Sequence, residues 1–137
     1  MAAALLSQAA TRSAGLNDLS VDSAGTSASR GSPATREAIE VMAARGADLS
    51  DHRAKPMTRE LVERADLVLT MTEDHRDTVA RCYPEHVHKV VTLGTFAGTK
   101  KEVADPIGQG RNAYESCADQ LTSMVDAVVA RLSRGLP

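Results

Sequence analysis

A chain of 137 residues, 42% apolar and 25% charged, has the makeup of one globular domain and not that of a disordered segment. Its net charge is -2, its lysines and arginines are scattered, and its aromatic content is only 2%, so neither a basic stripe nor a base-stacking platform is available and no nucleic-acid partner is expected. No apolar run reaches the ~20 residues that cross a bilayer. Cys82 and Cys117 lie far apart, with no Cys-x-x-Cys and no histidine at metal spacing, so a cytoplasmic protein with reduced thiols, and without metal or membrane partner, is expected.

Leu5, Leu6, Ala9 and Ala10 recur at helical spacing before Gly15, which predicts a helix over 1–14. "LSVDSAG" then suits a short strand over 19–24 that ends in a loop rich in Ser, Gly and Thr. In "SPATREAIEVMAARG" Ser32 is expected to cap a helix with Pro33 at its first position and Gly46 as its stop. A short helix over 58–65 follows Pro56, and "ADLVLTM" predicts a strand over 66–71 buried on both faces. Thr72 is the natural cap of "EDHRDTVARCY", which Pro84 ends; "KVVTL" predicts a third strand over 89–93. A long Gly-rich connection leads to the last helix, where Tyr114, Cys117, Leu121, Met124, Val125, Val128 and Leu132 form one stripe. Buried strands alternating with helices predict an α/β domain with a mostly parallel sheet, whose ligands bind beyond the carboxyl ends of the strands.

Three segments bear chemistry. "VDSAGTSA" sets Ser23, Gly25, Thr26 and Ser27 just past a strand end, where hydroxyls and amides support a phosphate-binding loop or form an ordinary polar turn. His52 in "SDHRA" is either a loop brace or a surface residue, while His75, His86 and His88 read as solvated side chains. In "ADPIGQG", Pro106 fixes the backbone after Asp105, and Gly108 and Gly110 let the loop move; the carboxyl group is either a general acid on a mobile loop or part of an Asp-Pro turn. A phosphate-transferring cysteine needs an arginine six positions on to close its anion cradle, yet Cys82 is followed there by His88 and Cys117 by Ser123. Both cysteines therefore read as buried core.

Taken together, "MAAALL", "VDSAGTSA", "GSPATREAIEVMAARGADLSDHRA", "MTRELVERADLVLTMTEDHRD", "KVVTL" and "ADPIGQGRNAYESCADQL" resemble, in order and spacing, the low-molecular-weight protein tyrosine phosphatases of bacterial type. The resemblance runs over essentially the whole chain as a single domain, 1–137. It implies a three-layer α/β fold with a four-stranded, mostly parallel sheet. It also implies hydrolysis of phosphomonoesters on proteins through a phosphocysteine, with no cofactor and no metal. By the same resemblance Asp105 corresponds to the general acid and base, and Pro106 to its fixed neighbour. Ser23 and His52 correspond to supports of the phosphate loop.

In that family a strand and a Cys-x5-Arg-Ser/Thr-Pro loop run directly into the helix that here reads "MAAALL". The 137 residues begin at the methionine after that loop, so the first strand, the nucleophile and the phosphate-binding arginine are expected to be missing, and the chain to be inactive alone. An open seam in the sheet is expected with them, and self-association through it. A noncatalytic regulatory or partner-binding remnant is the competing expectation. The related thioredoxin-coupled arsenate reductases need a nucleophilic cysteine with resolving partners, which Cys82 and Cys117 do not supply. Because Ile107 follows Asp-Pro where tyrosine-specific members often carry an aromatic residue, the substrate is expected to be a phosphotyrosine or a phosphoarginine protein.

Overall fold

The computed structural model describes residues 1–16, 18–27 and 29–135. Four helices owe their starts to threonine or to an uncapped chain end. α1 (Ala2–Thr11) begins without a side-chain cap, whereas Thr35, Thr58 and Thr72 accept hydrogen bonds from the third helical amides of α2 (Arg36–Ala43), α3 (Arg59–Arg64) and α4 (Glu73–Cys82). Such a cap contributes about 1 kcal/mol to its helix. Between α3 and α4 runs β1 (Val68–Thr70); a 3₁₀ turn over Pro84–Lys89 leads from α4 to β2 (Val90–Thr92). Then follow α5 (Leu93–Phe96) and the long α6 (Arg111–Ser133).

The strands β1 and β2 pair in parallel, Val68 with Val90, Leu69 with Val91 and Thr70 with Thr92. Partners in such a ladder face the same side, so the pleat sorts them. Leu69 and Val91, with Leu67 and Met71, pack against the main core, while α4 covers the strands with Val79 as its buried residue. The main core lies between the sheet and α1, α2, α5 and α6, and its fully enclosed members include Val41, Met42, Ala118 and Val128. The expected α/β class with a parallel sheet between helical layers is therefore observed.

Several expectations are corrected. Residues 19–24 form no strand: Leu19 is 37% exposed, and the ladder of β1 runs to β2 alone among the described residues. A strand is held by its neighbour, and here only the isolated parallel bridge of Gly25 with Pro56 exists, just past the expected strand. The segment 66–71 shortens to three residues with only Thr70 buried, so β1 is not enclosed on both faces. Ser32 does not cap α2, because its carbonyl accepts the Ala54 amide at 2.7 Å while Pro33 bridges Arg53 in antiparallel sense. Backbone pairing claims residues 31–33, and the helix starts at the next available cap, Thr35. The first helix ends at Thr11, with Gly15 at φ 85° in the turn beyond it. The stripe on α6 is as expected, with Tyr114, Cys117, Leu121, Met124, Val125 and Val128 buried and Leu132 half-buried.

The one-turn α5 was not expected. Its signal lies in Thr92, whose hydroxyl oxygen accepts the Thr95 amide at 3.1 Å, as a cap does. Gly94 in this turn is buried, and a Cβ there would stand 2.0 Å from the carbonyl oxygen of Lys101. The segment that leads to Asp105 thus passes directly over the glycine. Gly94→Ala is expected to lower stability by about 1–3 kcal/mol, as overpacking does, and Met42→Ala by about 2–5 kcal/mol through a cavity. Urea denaturation midpoints measure both.

Candidate active site

The loop that carries Asp105 is rooted before it reaches that residue. Val103 is only 3% exposed, and its amide donates to the carbonyl of Met71 at the end of β1 at 3.0 Å. From Asp105 onward the chain bonds mainly to itself. The Asp105 carboxylate accepts the Ile107 amide at 3.0 Å, its carbonyl accepts the Gln109 side-chain amide at 3.2 Å, and the Gln109 amide donates to the Pro106 carbonyl at 3.0 Å. Gly108 and Gly110, at φ 74° and 88°, turn the chain into α6 with backbone angles that side-chain-bearing residues rarely adopt. Asp105 is exposed, Pro106 half-buried, and Ile107 is 61% exposed beside them.

Beneath this loop sits Cys117, whose sulfur lies 4.0 Å from the carbonyl of Ala104. Burial pushes the Cys117 thiol up, and the Asp105 carboxylate adds to the shift while the amino group of Met1 opposes it. The same burial lowers the Met1 amine, against the pull of Cys117. Met1 and Ala2, at the start of α1, pack against the core cluster that includes Cys117, the thiol beneath Ala104. The first turn of α1 has no acidic residue and no side-chain cap. Its free N–H groups and the positive end of its dipole make a favourable position for an anion.

The other two candidates lie on paired segments. Gly25 donates to the Lys55 carbonyl and accepts from Met57, both at 3.0 Å, while Gly31 donates to Ala54 at 2.8 Å. These bonds hold the Ser23 loop beside the segment that begins at His52. Asp22 accepts the Ser23 amide at 2.8 Å and pairs with Lys55 at 2.6 Å; that ammonium group holds the Asp22 carboxyl below its ordinary range. Ser23 and His52 are exposed, and among the described residues neither the hydroxyl nor the imidazole has a hydrogen-bond partner. The structure thus brings Ser23 and His52 to one pair of loops, and sets Asp105 on a separate loop above Cys117. No hydrogen bond joins the two groups among the described residues. His75 and His88 are exposed and His86 half-buried.

The low molecular weight phosphotyrosine protein phosphatase family matches residues 1–136. The chain is 38% identical over 132 residues to the probable low molecular weight protein-tyrosine-phosphatase EpsP of Ralstonia nicotianae, covering 96% of this chain and 86% of that protein. It is 36% identical to the protein-arginine-phosphatase of Bacillus subtilis, over 98% of this chain and 88% of that one. Among solved structures, the YwlE arginine phosphatase from Geobacillus stearothermophilus superposes with a TM-score of 0.89 at 32% identity, covering 98% of this chain and 84% of that one. The chain belongs to the low molecular weight phosphotyrosine protein phosphatase family.

Within this phosphatase the described residues hold no group of three His, Cys, Asp or Glu side chains arranged for a metal ion. No helix among them is long and apolar enough to cross a membrane. Cys117 is buried at 8% exposure, as its stripe predicts. Cys82 is exposed, against expectation, because α4 buries only Val79 and Cys82 is its final residue. Sequence reasoning also missed what lies below Asp105. The approach of Cys117 to Ala104, thirteen positions apart, and the passage of Lys101 over Gly94, seven apart, join residues in different elements and leave no periodic pattern.

Cys82 is expected to react with a thiol reagent well before Cys117 in the folded protein. Because a raised thiol pKa means less thiolate at a given pH, the rate for Cys117 should rise with pH along a curve displaced above that of an ordinary cysteine, about 8.5. Labelling Cys82→Ser and Cys117→Ser variants across pH separates the two.

Proposed function

We propose that this family member hydrolyses phosphorylated side chains of proteins, with Asp105 as general acid and base and with the nucleophile on a Cys-x5-Arg loop encoded upstream of Met1. The observation that carries the reading is the Asp105 loop, rooted on the end of β1 through Val103 and carried over Cys117, a member of the core against which Met1 and Ala2 pack. In this reading a dianionic phosphoryl group held at the start of α1 stands within reach of the carboxyl group. In the first step the cysteine thiolate forms a bond to phosphorus. The bond to the leaving oxygen breaks, and Asp105 gives that oxygen its proton. In the second step the Asp105 carboxylate takes a proton from water, which attacks phosphorus and releases phosphate and the thiolate.

Ser23 and His52 act as supports of the phosphate loop, a role to which their unengaged hydroxyl and imidazole are suited. Pro106 holds the backbone after Asp105. The chain alone is then inactive, since neither Cys82 nor Cys117 has an arginine six residues on.

A second reading of substrate is favoured by Ile107. Its exposed aliphatic side chain stands next to Asp-Pro, where it would line the pocket against an alkyl guanidinium stem as readily as against a phenyl ring. Relatives named as arginine phosphatases and as tyrosine phosphatases both match this chain. Phosphoarginine is therefore a substrate to test beside phosphotyrosine.

The 137-residue chain is expected to show no turnover of an aryl phosphate, and the chain extended through the upstream codons to show it. In the extended protein Asp105→Asn should slow a poor leaving group by about a hundredfold and a good one far less. A stop codon upstream without a Cys-x5-Arg segment, or equal effects on both leaving groups, would overturn the reading. Comparing kcat/KM for phosphoarginine and phosphotyrosine peptides decides the substrate.

A further inference from the structure

The root of the Asp105 loop is tied more heavily than its length requires. Within Thr99–Val103 every residue but Lys100 takes part in a bond to another residue. The Thr99 amide and hydroxyl donate to the Gly94 carbonyl at 2.8 and 3.2 Å, and the Lys101 amide donates to the Thr99 hydroxyl at 3.1 Å. The Val103 amide reaches Met71. Glu102 holds both sides at once. Its carboxylate accepts the amide of Glu73, the first residue of α4, at 2.6 Å, and its carbonyl accepts the side-chain amide of Gln120 on α6 at 2.9 Å.

The Glu73 amide is one of the first four N–H groups of α4, which have no partner inside the helix. Thr72 caps the His75 amide and leaves the Glu73 amide to an outside acceptor. A carboxylate is well suited to that place, because the helix dipole and the charge-assisted bond act together. The acceptor comes from a segment 29 positions away in sequence, so the bond closes the loop root onto the end of β1. Three residues further on is Asp105. With no comparable ties beyond it, its position relative to the strand ends is inherited from this root.

We propose that Glu102 is a positioning residue for Asp105: by bridging the first amide of α4 and Gln120 of α6, it fixes the root of the loop so that the carboxyl group meets the reacting atoms. The proposal rests on Asp105 acting as the general acid. Misplacing a catalytic group by a fraction of its reach is costly to rate even when binding is unaffected. Glu102 is exposed and its bonds lie at the surface, so its removal should disturb the loop more than the fold.

The test uses the chain extended upstream, in a Cys82→Ser background. Glu102→Ala is expected to lower kcat for a poor aryl leaving group by about tenfold while KM changes by less than about twofold. A good leaving group should lose much less. Glu102→Gln, which keeps an acceptor oxygen, should recover most of the rate. A readout independent of activity comes from Cys117 under Ala104, followed on its own peptide by mass spectrometry because the upstream nucleophile also reacts: in Glu102→Ala its thiol should react several-fold faster with an aromatic disulfide, and amides 103–107 should exchange faster. Unchanged Cys117 reactivity and exchange would overturn the clamp. A faster Cys117 with an unchanged leaving-group dependence would overturn the positioning role. If Asp105→Asn leaves that dependence unchanged, the general-acid reading fails, and with it the positioning role, while the thiol and exchange data still report on the clamp.

Discussion

The apolar stripe of α6 is the surface on which the rest of this molecule is assembled. Ala118 and Val128 on that helix are fully enclosed, and α1, α2 and α5 all pack against it. Among the described residues the sheet has two short strands, and each of the other elements buries three residues or fewer. Burial of one large aliphatic side chain contributes roughly 1.5–3 kcal/mol, and α6 buries eight residues. The polar side of the same contact is held by charge. Arg45, beyond the end of α2, pairs with Asp119 at 2.8 Å and with Glu115 at 3.3 Å, and Arg111 pairs with Glu40 at 3.0 Å. These partly exposed pairs contribute little energy each, and their effect is to fix the rotation of α2 on α6.

That arrangement explains why the chemistry gathers where it does. The N-terminal half of α6 carries Cys117, which forms the floor beneath Ala104, and Gln120, which holds Glu102. The opposite end of the same helix carries Arg131, whose guanidinium lies 4.1 Å from the centre of the Phe96 ring and donates to the Phe96 carbonyl at 3.2 Å. One helix thus locates both α5, over which the loop root passes, and the loop that follows. The start of α1 packs on the same core, so α6 supports two parts of the chain about a hundred residues apart, the start of α1 and the loop of Asp105.

The sequence was most informative where the signal was local. The Thr72 hydroxyl caps the helix expected of it, a short helix follows Thr58 as expected, and the period of α6 shows which residues are buried. The family resemblance names Asp105, Ser23 and His52 as candidates, and each lies on a loop rather than inside a helix or strand. The failures share one cause, which is that backbone pairing is decided by distant neighbours. Residues 19–24 have the alternation of a strand and no ladder to join, and Ser32 has the chemistry of a cap and a backbone already engaged by Ala54. Cys82 matched a helical stripe on a helix too short and too peripheral to bury it. Nothing in "TKKEVADP" distinguishes Glu102 from a solvated charge, because its partner amide lies at the start of another helix.

The placement of Asp105 at a boundary follows from these contacts. A general acid must be close enough to give its proton in the transition state, yet must clear the site for substrate entry and product exit. A residue inside the rooted segment would be too constrained to do the second, and one near Gly108 or Gly110 too free to do the first. Asp105 is two positions beyond the last tie to the sheet, at Val103, and directly ahead of Pro106, whose ring removes one backbone rotation. Its own carboxylate accepts the Ile107 amide, so in this arrangement the acid is held within its turn. Release of that one bond frees the side chain without unseating the root. The division between a fixed base and a short, self-bonded tip is what the general-acid role proposed for Asp105 requires of a surface loop.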